Sequence, residues 1–148
     1  MADFFKTPYY RRKMDNKFIY SLEMKVRDYE VDSEGIVNNA NYLHYLEHTR
    51  HEFCTEAGFP FKKMQAMGLV PVLSRVEIDY KTPLVSDDLM LSRLWVEMVG
   101  VRFVFHQQII NKTTNAVAVN AIVSVVCLEN GKLTRGEVYA EAFKNYLQ

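Results

Sequence analysis

A chain of 148 residues, in which eighteen Lys and Arg balance eighteen Asp and Glu, is long enough for one domain with its own hydrophobic core. Its neutral balance argues against the broad positive field that grips nucleic-acid phosphates. No linker, repeat or low-complexity stretch divides it, so residues 1–148 read as a single domain. Its two cysteines, Cys54 and Cys127, sit in apolar stretches and suit a reducing compartment. No stretch nears the roughly 20 apolar residues of a membrane-spanning helix, and no signal-peptide core is evident, so a cytoplasmic protein is expected.

The short basic run Arg11-Arg12-Lys13 reads as solvated surface. Residues 18–26 alternate, with Phe18, Tyr20, Leu22, Met24 and Val26 on one side, as a half-buried strand should. An acid-rich turn follows. Beyond it Tyr42, Leu46, Thr49, Phe53 and Ala57 recur at helical spacing with Leu43 and Cys54 beside them. They predict a helix of about 18 residues, roughly 27 Å long. Asn38 and Asn39 stand at its capping positions, and Gly58 with Pro60 ends it.

Val70, Val72, Val76, Ile78 and Tyr80 then alternate with Leu73, Arg75, Glu77, Asp79 and Lys81 as a strand closed by Pro83. Residues 89–99 and 101–111 predict a hairpin turning at Gly100. A polar turn at 112–115 leads into a valine-rich strand at 116–128, and Asn130-Gly131 marks another reversal. The tail, 137–147, predicts a short helix with Val138, Ala142 and Tyr146 on one face. One strand, one long helix and a meander of long strands argue for an α+β domain in which one helix covers one sheet. The uncovered sheet edge calls for a second copy, at least a dimer.

Asp32, before Ser-Glu-Gly, is a favoured turn residue that bonds its own backbone. It also precedes a helix start, whose unpaired N–H groups and partial positive charge stabilise anions. Asp28, Glu30 and Glu34 compete for any catalytic role, and spacing does not choose among the four. Gly35 permits either a positive φ or a close backbone approach. His44, His48 and His51 share a helix face with Glu47, Arg50 and Glu52. A solvated or interface-facing polar stripe explains them better than a metal. His51-Glu52 opens the zinc-protease pattern, but Thr55 stands where the second histidine would be. His106 reads as a sheet residue. No nucleophile elbow and no glycine-rich phosphate loop is present, and neither cofactor nor metal is expected.

The segment from Val26 to Arg50, Val-Arg-Asp-Tyr-Glu-Val-Asp-Ser-Glu-Gly-Ile-Val-Asn-Asn-Ala-Asn-Tyr-Leu-His-Tyr-Leu-Glu-His-Thr-Arg, resembles the hallmark region of the hotdog-fold thioesterases. The 4-hydroxybenzoyl-CoA thioesterase-like branch is most similar, including bacterial long-chain acyl-CoA thioesterases and plant plastid acyl-acyl-carrier-protein thioesterases. Residues 76–83 and Asp87-Asp88-Leu89 extend the resemblance, which covers roughly residues 18–128. It implies a curved antiparallel sheet wrapped around one long central helix, paired as a homodimer or homotetramer. It also implies hydrolysis of an acyl thioester of coenzyme A or of acyl carrier protein in fatty acid metabolism.

By the same resemblance Asp32 is the catalytic carboxylate, as general base or nucleophile, and the backbone N–H of Asn39 polarises the thioester carbonyl. Several relatives carry histidine at that position, so the backbone contribution is the one that carries over. Gly35, Tyr42, Tyr45 and Leu46 would contact the substrate, although the last three fit plain core equally. A hotdog dehydratase would bring a histidine in a different motif. A binding-only hotdog module would show saturable ligand binding without thiol release.

Overall fold

The computed structural model describes residues 17–148, so the basic run Arg11-Arg12-Lys13 lies outside the described residues. The strands are β1 (Tyr20–Lys25), β2 (Leu69–Tyr80), β3 (Leu89–Val99), β4 (Arg102–Asn111), β5 (Val117–Glu129) and β6 (Lys132–Leu133). The helices are α1 (Asn39–Glu56), α2 (Phe61–Ala66) and α3 (Glu137–Ala142). The sheet is antiparallel in the order β1-β3-β4-β5-β2, with β6 added beside β5. It curls around α1, giving the expected α+β architecture of one long helix held in one sheet.

Both ends of α1 are specified locally. The Asn38 side chain accepts from the Ala40 N–H at 2.9 Å, filling one of the donors that a helix start leaves open. At the other end Gly58 takes a φ of 79°, its N–H reaches the Thr55 carbonyl and that of Phe59 reaches Cys54. Those two bonds form a Schellman cap, which needs a residue at positive φ. The β3–β4 hairpin closes at Gly100-Val101, with Val99 opposite Arg102 and Gly100 at φ 62°.

Three features differ from the sequence expectation. The segment after Pro60 forms α2, six residues whose Met64 is buried; one and a half turns give too short a pattern for periodicity to register. The tail helix stops at Ala142 and buries Tyr139 and Phe143, while Val138, Ala142 and Tyr146 are only half-buried around them. Within β2, pairing with β5 slips between Leu73 and Arg75. This bulge at Ser74 reverses the alternation. Leu69, Pro71 and Leu73 therefore share a face with Val76, Ile78 and Tyr80, and Val70 and Val72 turn outward, 49% and 38% exposed.

Inside the curl the buried residues form two clusters. One gathers Tyr42, Tyr45 and Leu46 from α1 with Val26, Val37, Leu84, Met90, Ile109 and Val119 near the helix start. The other gathers Phe53 and Cys54 with Phe59, Met64, Phe103, Phe105, Val123, Cys127, Tyr139 and Phe143 near the helix end.

Candidate active site

Asp32 sits in a turn closed by its own backbone. Its N–H donates to the Ile36 carbonyl at 2.8 Å, and the Gly35 N–H donates to the Asp32 carbonyl at 3.0 Å. Gly35 has a φ of 80°, and a Cβ there would meet nothing within 4 Å. The positive φ is by itself enough to favour glycine at this position. Asp32 Oδ1 accepts from the Glu34 N–H at 2.8 Å, an Asx turn. Among the described residues no donor meets Oδ2.

The four acids are separated by their surroundings. Asp28 is exposed, and its Oδ1 accepts from the Tyr29 N–H. Glu30 is buried and committed, accepting from the Arg27 N–H at 2.7 Å with the Arg27 guanidinium 3.7 Å away. Glu34 is exposed. Asp32 is half-buried and keeps one carboxylate oxygen uncommitted.

The turn is fastened to the start of α1. Val31 bridges Val37, Ile36 bridges Val85, and the Asn38 N–H donates to the Glu30 carbonyl at 3.0 Å. Asn41 adds a 2.7 Å bond from its side-chain amide to that same carbonyl. The cap then distributes the first helical donors: Ala40 N–H goes to the side chains of Asn38 and Asn39, and Asn41 N–H to the Asn38 carbonyl. No described residue accepts from the Asn39 N–H, which lies at the helix's positive end in an exposed residue. Tyr80, at the end of β2, donates its hydroxyl to the Asn39 carbonyl at 3.1 Å.

The other candidate substrate contacts part company. Tyr42 and Tyr45 are each 4% exposed and pack edge to face within the core; the Tyr42 hydroxyl accepts from the Leu84 N–H at 3.0 Å. Burial, with Glu30 nearby, raises the Tyr45 phenol well above its ordinary range. Leu46 instead borders a cavity of about 480 Å³ between α1 and strands β2, β4 and β5. The cavity walls are mostly apolar, and Cys54 and Cys127 are both among them. Burial pushes each thiol up to about 12, so both are neutral and act as small apolar groups.

Sequence reading missed a polar belt that crosses the core between the two apolar clusters. Thr49 Oγ1 donates to the Tyr45 carbonyl and is also hydrogen-bonded to Ser92 Oγ, each at 2.7 Å. Gln107 Nε2 donates to the Leu46 carbonyl at 3.0 Å, and Arg50 Nη1 donates to Gln107 Oε1 at 2.9 Å. Arg50 thus departs from the solvated stripe: it is half-buried at the cavity wall, where burial lowers its pKa. A polar Gln alternating with Phe103, Phe105 and Ile109 along β4 was the available signal.

The helix histidines do not converge. His44 and His48 are exposed, and His51 packs on Phe61 at 4.2 Å and lies 3.5 Å from Glu47. His106 stacks flat on Trp95 at 3.7 Å, with Glu97 3.3 Å away. Among the described residues no three His, Cys, Asp or Glu side chains are grouped so as to hold a metal ion. Among the same residues no helix is long and apolar enough to cross a membrane.

The chain is similar to known proteins over most of its length. A protein of Aquifex aeolicus is 40% identical over 117 residues, 78% of this chain and 88% of that one. A crystal structure of an Aquifex aeolicus protein superposes with a TM-score of 0.77 at 31% identity, covering 83% of this chain and 98% of that one. A long-chain acyl-CoA thioesterase of Escherichia coli is 30% identical over 108 residues, 72% of this chain and 81% of that one. Residues 26–142 match the profile of the Thioesterase-like superfamily, and the chain belongs to that family.

Proposed function

We propose that the chain acts, as a single domain, on acyl thioesters of coenzyme A or of acyl carrier protein, hydrolysing them with Asp32 as the reacting acid. The observation that carries this reading is that one turn and the helix start it leads into bring together a half-buried carboxylate, with one oxygen unpartnered among the described residues, and the Asn39 N–H, from which no described residue accepts. The family and the acyl-CoA thioesterase relative support a thioester as the substrate class.

The chemistry follows from placing the thioester carbonyl at the Asn39 N–H. As a nucleophile adds, the carbonyl oxygen becomes negative and is stabilised by that donor and the helix end; losing one such donor typically costs about 3 kcal/mol of barrier. In one route Asp32 takes a proton from water while the water oxygen bonds to the carbonyl carbon. The C–S bond then breaks and the thiolate leaves with that proton. In the other route the Asp32 carboxylate attacks the carbon itself, the C–S bond breaks to expel the thiolate, and water then cleaves the resulting anhydride to the acid, regenerating Asp32 and supplying the thiolate's proton. Label found on Asp32 after a single turnover in ¹⁸O-labelled water would establish the second route, because only that route can leave it there.

Asp32→Asn tests the assignment. The Asn side-chain oxygen can keep the Glu34 N–H bond, so the fold and melting temperature should hold, while kcat should fall on the order of 10²–10⁴-fold. Full activity on every thioester tried would sink the role given to Asp32. Binding without any thiol release from the wild-type chain would instead favour a binding module.

Two further parts of the reading concern assembly and carrier. Strand β2 lies at a sheet edge, with Val70, Val72, Leu73 and Tyr80 between 38% and 49% exposed, a surface that solitary sheets avoid. We propose that a second copy pairs along it, which sedimentation would detect. The acyl-carrier alternative draws on a chloroplastic acyl-acyl carrier protein thioesterase of Arabidopsis thaliana, 31% identical over 96 residues; the chain spans 50% of that longer protein.

A further inference from the structure

Neither Asp32 nor Asn39 borders the cavity, yet the cavity opens along the same helix. Its first helical wall residue, Leu43, lies about one turn beyond Asn39, and its last, Cys54, about 16 Å further along the axis at 1.5 Å per residue. Strand β2 supplies the facing wall. Tyr80, bonded to the Asn39 carbonyl, is followed inward by Ile78, Val76 and, past the bulge, Leu73 and Pro71; the last three line the cavity. A chain leaving a thioester held at Asn39 would therefore run between α1 and β2 toward the end of the helix.

We propose that this cavity is the acyl-chain pocket of the reading given above, shaped for an aliphatic chain, and that Cys54, Cys127, Tyr139 and Phe143 set the longest chain admitted. The chemistry of the walls suits such an occupant. Phe105 and Val123 face each other across β4 and β5, as do Phe103 and Val125. Both thiols are small and neutral. Two charged side chains, Glu47 and Arg50, join the apolar walls; Arg50 is tied to Gln107, and Glu47 is exposed. Length decides between aliphatic and aromatic acyl groups: a single ring on the carbonyl is shorter than two helical turns, about 11 Å. It would leave the stretch from Arg50 to Cys54 unfilled. The far wall comes from the C-terminal helix, where Tyr139 and Phe143 are each 2% exposed and lean on Phe59 and Phe103.

The test is a chain-length profile. Thiol release is measured on saturated acyl-CoAs from short to long, with benzoyl-CoA beside them, for the wild type, Cys127→Phe and Phe143→Ala. Cys127→Phe narrows the pocket. Excluding about two methylenes should lower the ratio of long- to short-chain kcat/KM about tenfold. Phe143→Ala should move the ratio the opposite way. Displacement of a fluorescent polyene fatty acid by saturated fatty acids provides a readout independent of turnover, in which Cys127→Phe should lose about tenfold for the long competitor.

The pocket is overturned if neither variant moves either ratio, or if the wild type prefers benzoyl-CoA to every straight chain. If Cys127→Phe does not fold, Cys54→Leu replaces it, with the same loss expected. The two readings fail separately. Full activity in Asp32→Asn with shifted length ratios would remove the catalytic assignment and leave the pocket standing; an inactive Asp32→Asn with unmoved ratios would do the reverse.

Discussion

The two halves of the core are made of similar residues and packed to different ends. Around the helix start, Tyr42, Tyr45, Met90, Ile109 and Val119 interlock, each between 0% and 4% exposed. Around the helix end the aromatic residues are as large, but the space between α1 and β2 is left open as the cavity. The belt of Thr49, Ser92, Gln107 and Arg50 divides them. A solid half beneath the Asp32 turn fixes the proposed chemistry, and a hollow half leaves room for what the chemistry acts on.

That contrast can be broken directly, and its largest consequence is for truncations. Ile109→Ala in the solid half should cost about 2–5 kcal/mol, because it opens a new cavity. Val125→Ala, on a wall already facing empty space, should cost about 1.5 kcal/mol, near the transfer of its lost methyl groups alone. Urea denaturation midpoints compare the two, and equal losses per carbon removed would mean that the halves are packed alike.

The belt comes next in size. Thr49→Val leaves the buried Ser92 hydroxyl without its partner and should destabilise by about 1–3 kcal/mol. Adding Ser92→Ala should return part of that loss, which a double-mutant cycle reads as coupling. Asn38→Ala should cost about 1 kcal/mol through the lost cap. If it lowers kcat as well, the cap also positions the Asn39 N–H.

The last effect is absent at neutral pH. Folding raises the values of Cys54 and Cys127 from an ordinary 9.0 to about 12, so their contribution to stability is whole below pH 9 and is lost as pH climbs through 12. Melting temperatures should fall across that window, and less steeply in Cys54→Ala.

The fold was legible wherever local chemistry specifies it. Asn38 capping α1, Gly58 ending it, Gly100 turning the hairpin and Asn130-Gly131 reversing the chain at φ 50° and 79° are short-range signals. The bulge at Ser74 was not, because an extra residue in a strand shows only against its partner, some 50 positions away. The Asp32 turn and helix start could be named as a unit, while the choice among four acids came from family resemblance. Their differing burial now gives that choice physical support. The belt and the cavity stayed hidden because they join Arg50 to Gln107 and Cys54 to Cys127 across the fold.

The turn around Asp32 is tied by main-chain bonds to Ile36 and Gly35, together with the bridge from Val31 to Val37. Its address in space therefore belongs to the loop and not to the side chain that occupies it. Position 32 is a socket: one codon can exchange the tool mounted there while the mount survives. Such a site can drift between turning over a ligand and merely retaining it without the fold having to be reinvented.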